Sequence, residues 1–259
     1  MRILQLLLAL LAVASPVLAD IKTQAVEYKD GETVLEGFLA FDDAVKGPRP
    51  GVLVVHQWKG LGEFEKERAK ALARLGYVAF AVDIYGKGIR PKTPQEAGAQ
   101  AGKYKGDPNL YRRRMVAGLM RLRAEKTVDS SRIGAIGYCF GGTGVLELAR
   151  SGANVAGVVS FHGGLATKAP GDAKNIKGKV LVCHGADDPL VPKEEVDAFL
   201  TEMKEAKVDY QFIAYGGAVH AFTDPGADAY NFPAVKYHEK AAKRSWIAMR
   251  NFFAEAFSG

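Results

Sequence analysis

The residues with the chemistry of a covalent catalyst are a cysteine, two adjacent aspartates and a histidine, met in that order along the chain. Cys139 lies in Gly137-Tyr138-Cys139-Phe140-Gly141, with a further glycine at Gly142. A β-branched run precedes it and a helical segment follows, the layout of a strand-to-helix nucleophile elbow with cysteine in the serine position. Glycine flanks such a turn because the backbone angles are strained. Taken alone, the cysteine reads equally well as a small, buried, inert residue. The residues downstream argue for the elbow, since in sheet hydrolases of this kind an acid and then a histidine follow the nucleophile. Asp187 and Asp188 lie together in a turn before Pro189, where one can serve as the acid and the other as a turn or helix cap. His220 follows in the glycine-lined loop that opens at Gly216 and Gly217.

These parts point to thiolate attack on an ester carbonyl. A free thiol, with a pKa of about 8.5, is largely protonated at neutral pH, so His220 and the N-terminus of the helix at Gly141 must favour the anion. The oxyanion then needs two donors. The backbone N–H of Phe140, just after the nucleophile, is one, and that of Trp58, in the loop after an upstream strand, is the other. Both donors are main-chain atoms, which leaves the Trp58 and Phe140 side chains, with Tyr85 and Tyr138, free to wall a pocket or to pack on the sheet. His56, His162 and His184 end strands, where packed scaffold histidines are common, and they lack the short spacings of zinc sites. His238 falls in the terminal helical pattern. No metal and no cofactor is expected.

The elements that must position these residues alternate in type. Gln24 to Tyr28 and Thr33 to Phe41 predict a hairpin turning at Asp30-Gly31. The continuous apolar runs Gly51–His56, Tyr77–Asp83, Arg132–Tyr138, Val155–Phe161 and Lys179–His184, with Asp209–Tyr215, predict strands, most of them buried on both faces. Helical periodicity covers Glu63–Leu75, Asn109–Lys126, Gly141–Ser151, Lys193–Ala206 and about Pro233–Ala256. Between them, Ile84 to Pro108 is rich in glycine, proline and lysine, a candidate wall or lid with a short helix at Pro94–Gln100. The fold class is α/β: a mostly parallel, doubly wound sheet with an N-terminal antiparallel hairpin, whose ligands bind outside the carboxyl ends of the strands.

The 259 residues are 48% hydrophobic and 25% charged, an ordinary globular balance. The net charge of +6 comes from basic residues interleaved with acids; Arg112-Arg113-Arg114 is the one tight cluster, and no nucleic-acid motif accompanies it. Met1 to Ala19 has a positive start at Arg2, an apolar run to Ala14 too short to span a bilayer, and small residues before Asp20, the pattern of a signal peptide cleaved after Ala19. Residues 20 to 259 then form one secreted or periplasmic domain, expected to be a monomer with no membrane attachment after cleavage. In an oxidising compartment Cys139 and Cys183 invite a disulfide. With one strand between theirs, however, they stand about 10 Å apart at about 4.8 Å per strand, too far to bridge.

Four stretches together resemble the dienelactone hydrolase family of α/β-hydrolases: Val54-Val-His-Gln-Trp58, Gly137-Tyr-Cys-Phe-Gly-Gly142, Asp188-Pro-Leu-Val-Pro192 and Gly217-Ala-Val-His-Ala-Phe222. They stand in the family order and at family spacing over nearly the whole mature chain. The resemblance implies a Cys139, His220, Asp188 triad, favours Asp188 over Asp187, and implies hydrolysis of a small-molecule ester or lactone without a cofactor. Two departures accompany it. The family's glutamate that holds the resting thiol corresponds to Gln57, and its two carboxylate-binding arginines correspond to Lys87 and Asp224. Gln57, Tyr85 and Lys87 are the expected pocket residues, with Lys87 and Arg90 available to attract an anion. A binding protein with a degenerate site is the alternative that the Gln57 change raises.

Overall fold

The computed structural model describes residues 20–258; the expected signal peptide lies outside the described residues. Eight strands form one sheet: β1 (Ile21–Asp30), β2 (Thr33–Asp42), β3 (Arg49–Val55), β4 (Val78–Val82), β5 (Val128–Tyr138), β6 (Gly157–Phe161), β7 (Lys179–Gly185) and β8 (Tyr210–Tyr215). Their spatial order is β1-β2-β4-β3-β5-β6-β7-β8. β1 and β2 form the antiparallel hairpin, β2 pairs antiparallel with β4, and all pairs from β4 to β8 are parallel. The expected sheet is therefore present.

The apolar runs behave as two-sided strands should. Val52, Leu53, Val54 and Val55 of β3 are fully buried, and alternate residues enter different cores: Leu53 and Val55 one, Val52 and Val54 the other. Helices cover both faces: α1 (Glu63–Arg74), α2 (Pro94–Gly106), α3 (Pro108–Arg123), α4 (Phe140–Arg150), α5 (Lys193–Glu205) and α6 (Glu239–Ala256). Order reverses at β3, which has β4 on one side and β5 on the other. That switch point opens a crevice at the strands' carboxyl ends, and Trp58 and Cys139 follow the two strands that flank it.

Two expectations about elements are corrected. The stretch read as a loop with a short helix contains a full helix, α2, capped by Thr93, which accepts from the Glu96 N–H at 3.2 Å, and led by Pro94. Gly98 and Gly102 weaken its helical signal by about 1 kcal/mol each relative to alanine, while a narrow face of Ala97, Ala101 and Tyr104 docks it on the body. The terminal helix begins at Glu239 and not at Pro233. His238 is its N-cap, accepting from the Ala241 N–H at 3.3 Å. Residues 234–238 are taken up earlier by the His220 loop: His220 N–H donates to the Ala234 carbonyl at 3.1 Å, and Lys236 and His238 N–H donate to the His220 and Phe222 carbonyls, each at 3.1 Å.

Candidate active site

β5 runs straight into the elbow. Cys139 has φ 53° and ψ −113°, a conformation that costs a non-glycine residue on the order of 1–3 kcal/mol unless its surroundings enforce it. The surroundings do. A Cβ on Gly137 would lie 2.0 Å from the Gly141 carbonyl oxygen, and one on Gly141 2.3 Å from that of Val55, so only glycine permits the approach. The Cys139 N–H is shared between the Phe161 carbonyl at 3.0 Å and His162 Nδ1 at 3.1 Å. Because Nδ1 accepts, His162 carries its proton on Nε2 and donates to Thr223 Oγ1 at 2.7 Å. Burial, reinforced by the charge of His220, holds its pKa well below the ordinary imidazole value. His162 is thus a neutral strut under the elbow.

Asp188, and not Asp187, meets His220. The Asp188 side chain is fully buried, its Oδ2 lies 2.8 Å from His220 Nδ1, and its Oδ1 accepts from the Leu190 N–H at 2.9 Å. Asp187 faces solvent. Two charges of opposite preference result. Burial opposes protonation of His220, yet the neighbouring Cys139 sulfur and the Asp188 carboxylate together raise its pKa to about 10. Burial likewise pulls the Cys139 thiol upward, but the His220 charge and hydrogen bond, with smaller help from Lys105 and the Phe140 N–H, leave it below the ordinary thiol value. Both shifts run in the direction of a thiolate beside an imidazolium.

The Trp58 loop is tied down on every side except one. His56 Nδ1 donates to the Gln57 carbonyl at 2.6 Å while its Nε2 accepts from Ile84 N–H at 3.2 Å, and burial pushes this ring down to about 4. Buried Glu65 accepts from the N–H groups of Gln57 at 3.0 Å and Gly62 at 2.9 Å. Tyr85 Oη donates to the Trp58 carbonyl at 2.9 Å. Among the described residues the Trp58 N–H has no acceptor. Phe140 is the first residue of α4, and its N–H is among the groups that lower the thiol. Cys139 and His220 open onto a cavity of about 500 Å³, walled chiefly by Gln57, Trp58, Phe140, Leu190, Val191 and Phe232.

Of the expected pocket residues, Gln57 lines this cavity, and its Nε2 donates to Asp224 Oδ2 at 2.8 Å, so the two departures from the family pattern touch. Lys87 does not line it: its ammonium lies across β1 and β2, bonded to Glu27 and 4.0 Å from Glu36. Tyr85 is buried behind the Trp58 loop, and Tyr138 is stacked on Phe161 in the core. Arg90 is turned to the Leu61 carbonyl at 2.7 Å. His184 is buried beside Phe212. Cys183, one strand beyond β6, is a free thiol like Cys139, with burial pushing it up to about 12. Lys105 lines the cavity from the stretch read as a candidate wall, whereas sequence reasoning missed Glu65, whose signal was its place three residues into a helix start, and Tyr230 and Phe232, which lacked any motif.

A mostly parallel sheet with a nucleophile-type elbow at its switch point, and helices on both faces, defines an α/β-hydrolase. The model of the dienelactone hydrolase family matches residues 35–257, and the chain belongs to that family, whose reaction is hydrolysis of carboxylic esters and lactones. A solved structure named m3DLH is 45% identical, with TM-score 0.89, covering 92% of this chain and 99% of that one. A dienelactone hydrolase-like promiscuous phosphotriesterase from metagenomic libraries is 44% identical, with the same TM-score and coverage. A probable 2-oxo-3-(5-oxofuran-2-ylidene)propanoate lactonase of Bradyrhizobium sp is 28% identical over 81% of this chain and 88% of its own length.

Proposed function

We propose that the chain cleaves its ester or lactone through Cys139 as nucleophile, with His220 as acid and base, Asp188 as orienting acid, and the N–H groups of Trp58 and Phe140 as oxyanion hole. The observation that carries this reading is that His220, which lines one cavity with Cys139, is bonded at 2.8 Å to the buried Asp188 behind it. The thiolate attacks the carbonyl carbon, and the oxyanion is received by the two main-chain donors. Collapse breaks the C–O bond, and imidazolium His220 gives its proton to the leaving alkoxide, leaving a thioester. Neutral His220 then takes a proton from water and the hydroxide attacks the thioester; the C–S bond breaks to restore the thiolate beside imidazolium His220, and the carboxylic acid leaves and loses its proton to solvent.

The test is hydrolysis of a p-nitrophenyl ester panel by the wild type, Cys139→Ala and His220→Ala. The triad reading expects both variants to lose nearly all activity; equal rates from all three proteins would end it. The phosphotriesterase named above supports adding a phosphotriester to the panel. The proposal includes export as a monomer: an intact mass of the protein from the cell envelope fraction should begin at Asp20, and a mass retaining Met1 would refute cleavage.

A further inference from the structure

Glu65 is a buried carboxylate to which the mechanism above gives no task. It is 2% exposed, and among the described residues it has no ion-pair partner. The other acids of α1 behave ordinarily: Glu63 and Glu67 face solvent and pair with Lys66 and Lys70 at 2.6 and 2.7 Å. Burying a carboxylate without a counter-ion is costly unless main-chain donors take the place of its water. Glu65 has two such donors. Its Oε2 accepts from the Gly62 N–H at 2.9 Å, the usual cap of a helix start. Its Oε1 reaches eight residues back, to the Gln57 N–H at 3.0 Å, a bond that capping does not require. Burial raises the Glu65 pKa, and these two N–H groups are the largest effects opposing it.

The two bonds grip both ends of one turn. Between them the Gly60 N–H closes on the Gln57 carbonyl at 3.2 Å, and that carbonyl belongs to the same peptide unit as the Trp58 N–H. For this unit to swing, Gln57 would have to turn. Gln57 is held by its main chain at Glu65 and by its side chain at Asp224, 2.8 Å away. We propose that Glu65 is a positioning residue, whose carboxylate fixes the Gln57–Gly62 turn so that the Trp58 N–H stays aimed at the oxyanion. The proposal rests on the reading of Trp58 as an oxyanion donor.

Glu65→Gln tests it at nearly constant shape, because the amide oxygen can serve one N–H while its NH₂ opposes the other. Acylation and deacylation both pass through an oxyanion, so kcat for p-nitrophenyl butyrate should fall whichever step limits it. The expected fall is about ten- to thirtyfold, less than the roughly 10²–10³ that loss of a whole donor costs, with KM within about twofold of the wild type. Glu65→Asp, charged but one methylene too short to meet both N–H groups, gives a second reading of the same loss. Alkylation of Cys139 by iodoacetamide forms no oxyanion and should keep its wild-type rate in both variants. Glu67→Gly weakens the same helix from its exposed face and should leave kcat unchanged, which sets general loosening of α1 apart. Trp58→Pro deletes the N–H itself, and in that background Glu65→Gln should have little further effect, since it acts through the missing donor. An unchanged kcat in Glu65→Gln and Glu65→Asp would overturn the positioning role. Equal falls from Glu65→Gln in both backgrounds, or a matching loss of alkylation, would do the same. A wild-type kcat in Trp58→Pro would instead remove the oxyanion donor, and the positioning role with it.

Discussion

The charge state of the Cys139–His220 pair makes a prediction that can be followed with a small reagent and no knowledge of the substrate. His220 rises from the ordinary 6.5 to about 10. At about 1.4 kcal/mol per unit, the imidazolium is favoured by on the order of 5 kcal/mol, shared between the thiolate and Asp188. The thiol correspondingly ionises below the ordinary range. The sign follows: the ion pair exists above the lowered thiol pKa, where the sulfur has lost its proton, and disappears as the pH rises through about 10, where His220 loses its own. Iodoacetamide labelling of Cys139 should therefore reach its plateau at lower pH than labelling of an unperturbed thiol. kcat/KM, which also needs the imidazolium to protonate the leaving group, should be bell-shaped with an alkaline limb near pH 10. In His220→Ala the burial of the sulfur is opposed only by the smaller effects of Lys105 and the Phe140 N–H, so the labelling midpoint should move up from the wild-type value. Rates are read by intact mass across pH 5 to 11, with Cys183, buried in the sheet, as internal control. Superimposable profiles for the wild type and His220→Ala would refute the ion pair.

Three further outcomes follow from the geometry. Asp188→Asn keeps the carbonyl that Leu190 needs but turns an N–H₂ toward His220 Nδ1, so the ring must place its proton on Nε2 and cannot take one there. kcat/KM should fall by about 10³–10⁴ with the melting temperature little changed. Tyr85→Phe removes the bond that holds the Trp58 carbonyl and should reduce kcat about five- to tenfold while KM stays constant, the value of one hydrogen bond in positioning an oxyanion donor. Glu202→Gln breaks one arm of the fully buried Arg150, whose guanidinium meets Glu202 at 2.8 and 2.7 Å, and chemical denaturation should show a loss of about 3–5 kcal/mol.

How far the sequence can be read depends on the length scale of the signal. The parallel strands announced themselves because a strand buried on both faces must be apolar at every position, as Val52 to Val55 are. The elbow was legible because its glycines answer a local clash, one that no side chain at Gly137 escapes. α2 was hidden because Gly98 and Gly102 dilute its propensity, and what holds it is the docking of Ala97, Ala101 and Tyr104, a tertiary effect. The start of α6 was misplaced because residues 234–238 are helix-compatible but are drawn off to pair with the His220 loop. Through a match to a carboxylate-binding arginine, the resemblance implies a pocket place for Lys87. Its side chain is held by Glu27 and Glu36 of the hairpin, partners that no spacing within the loop reveals.

The same reasoning bears on Gln57 and Asp224. Position by position, an amide where the family has a glutamate suggests an unassisted thiol, and an aspartate where it has an arginine suggests a lost contact. In the folded chain the two side chains, 167 residues apart, meet at 2.8 Å, the amide donating and the carboxylate accepting. A glutamate at position 57 would put a second carboxylate beside Asp224, and like charges at that distance cannot both stay ionised. The amide is the form that Asp224 requires. The clasp joins the loop after β3 to the loop after β8, and so ties the Trp58 N–H to the segment that carries His220. In the proposed mechanism the thiol proton goes to His220, so a carboxylate at position 57 is not required to receive it, and Gln57 holds the two loops of the site together.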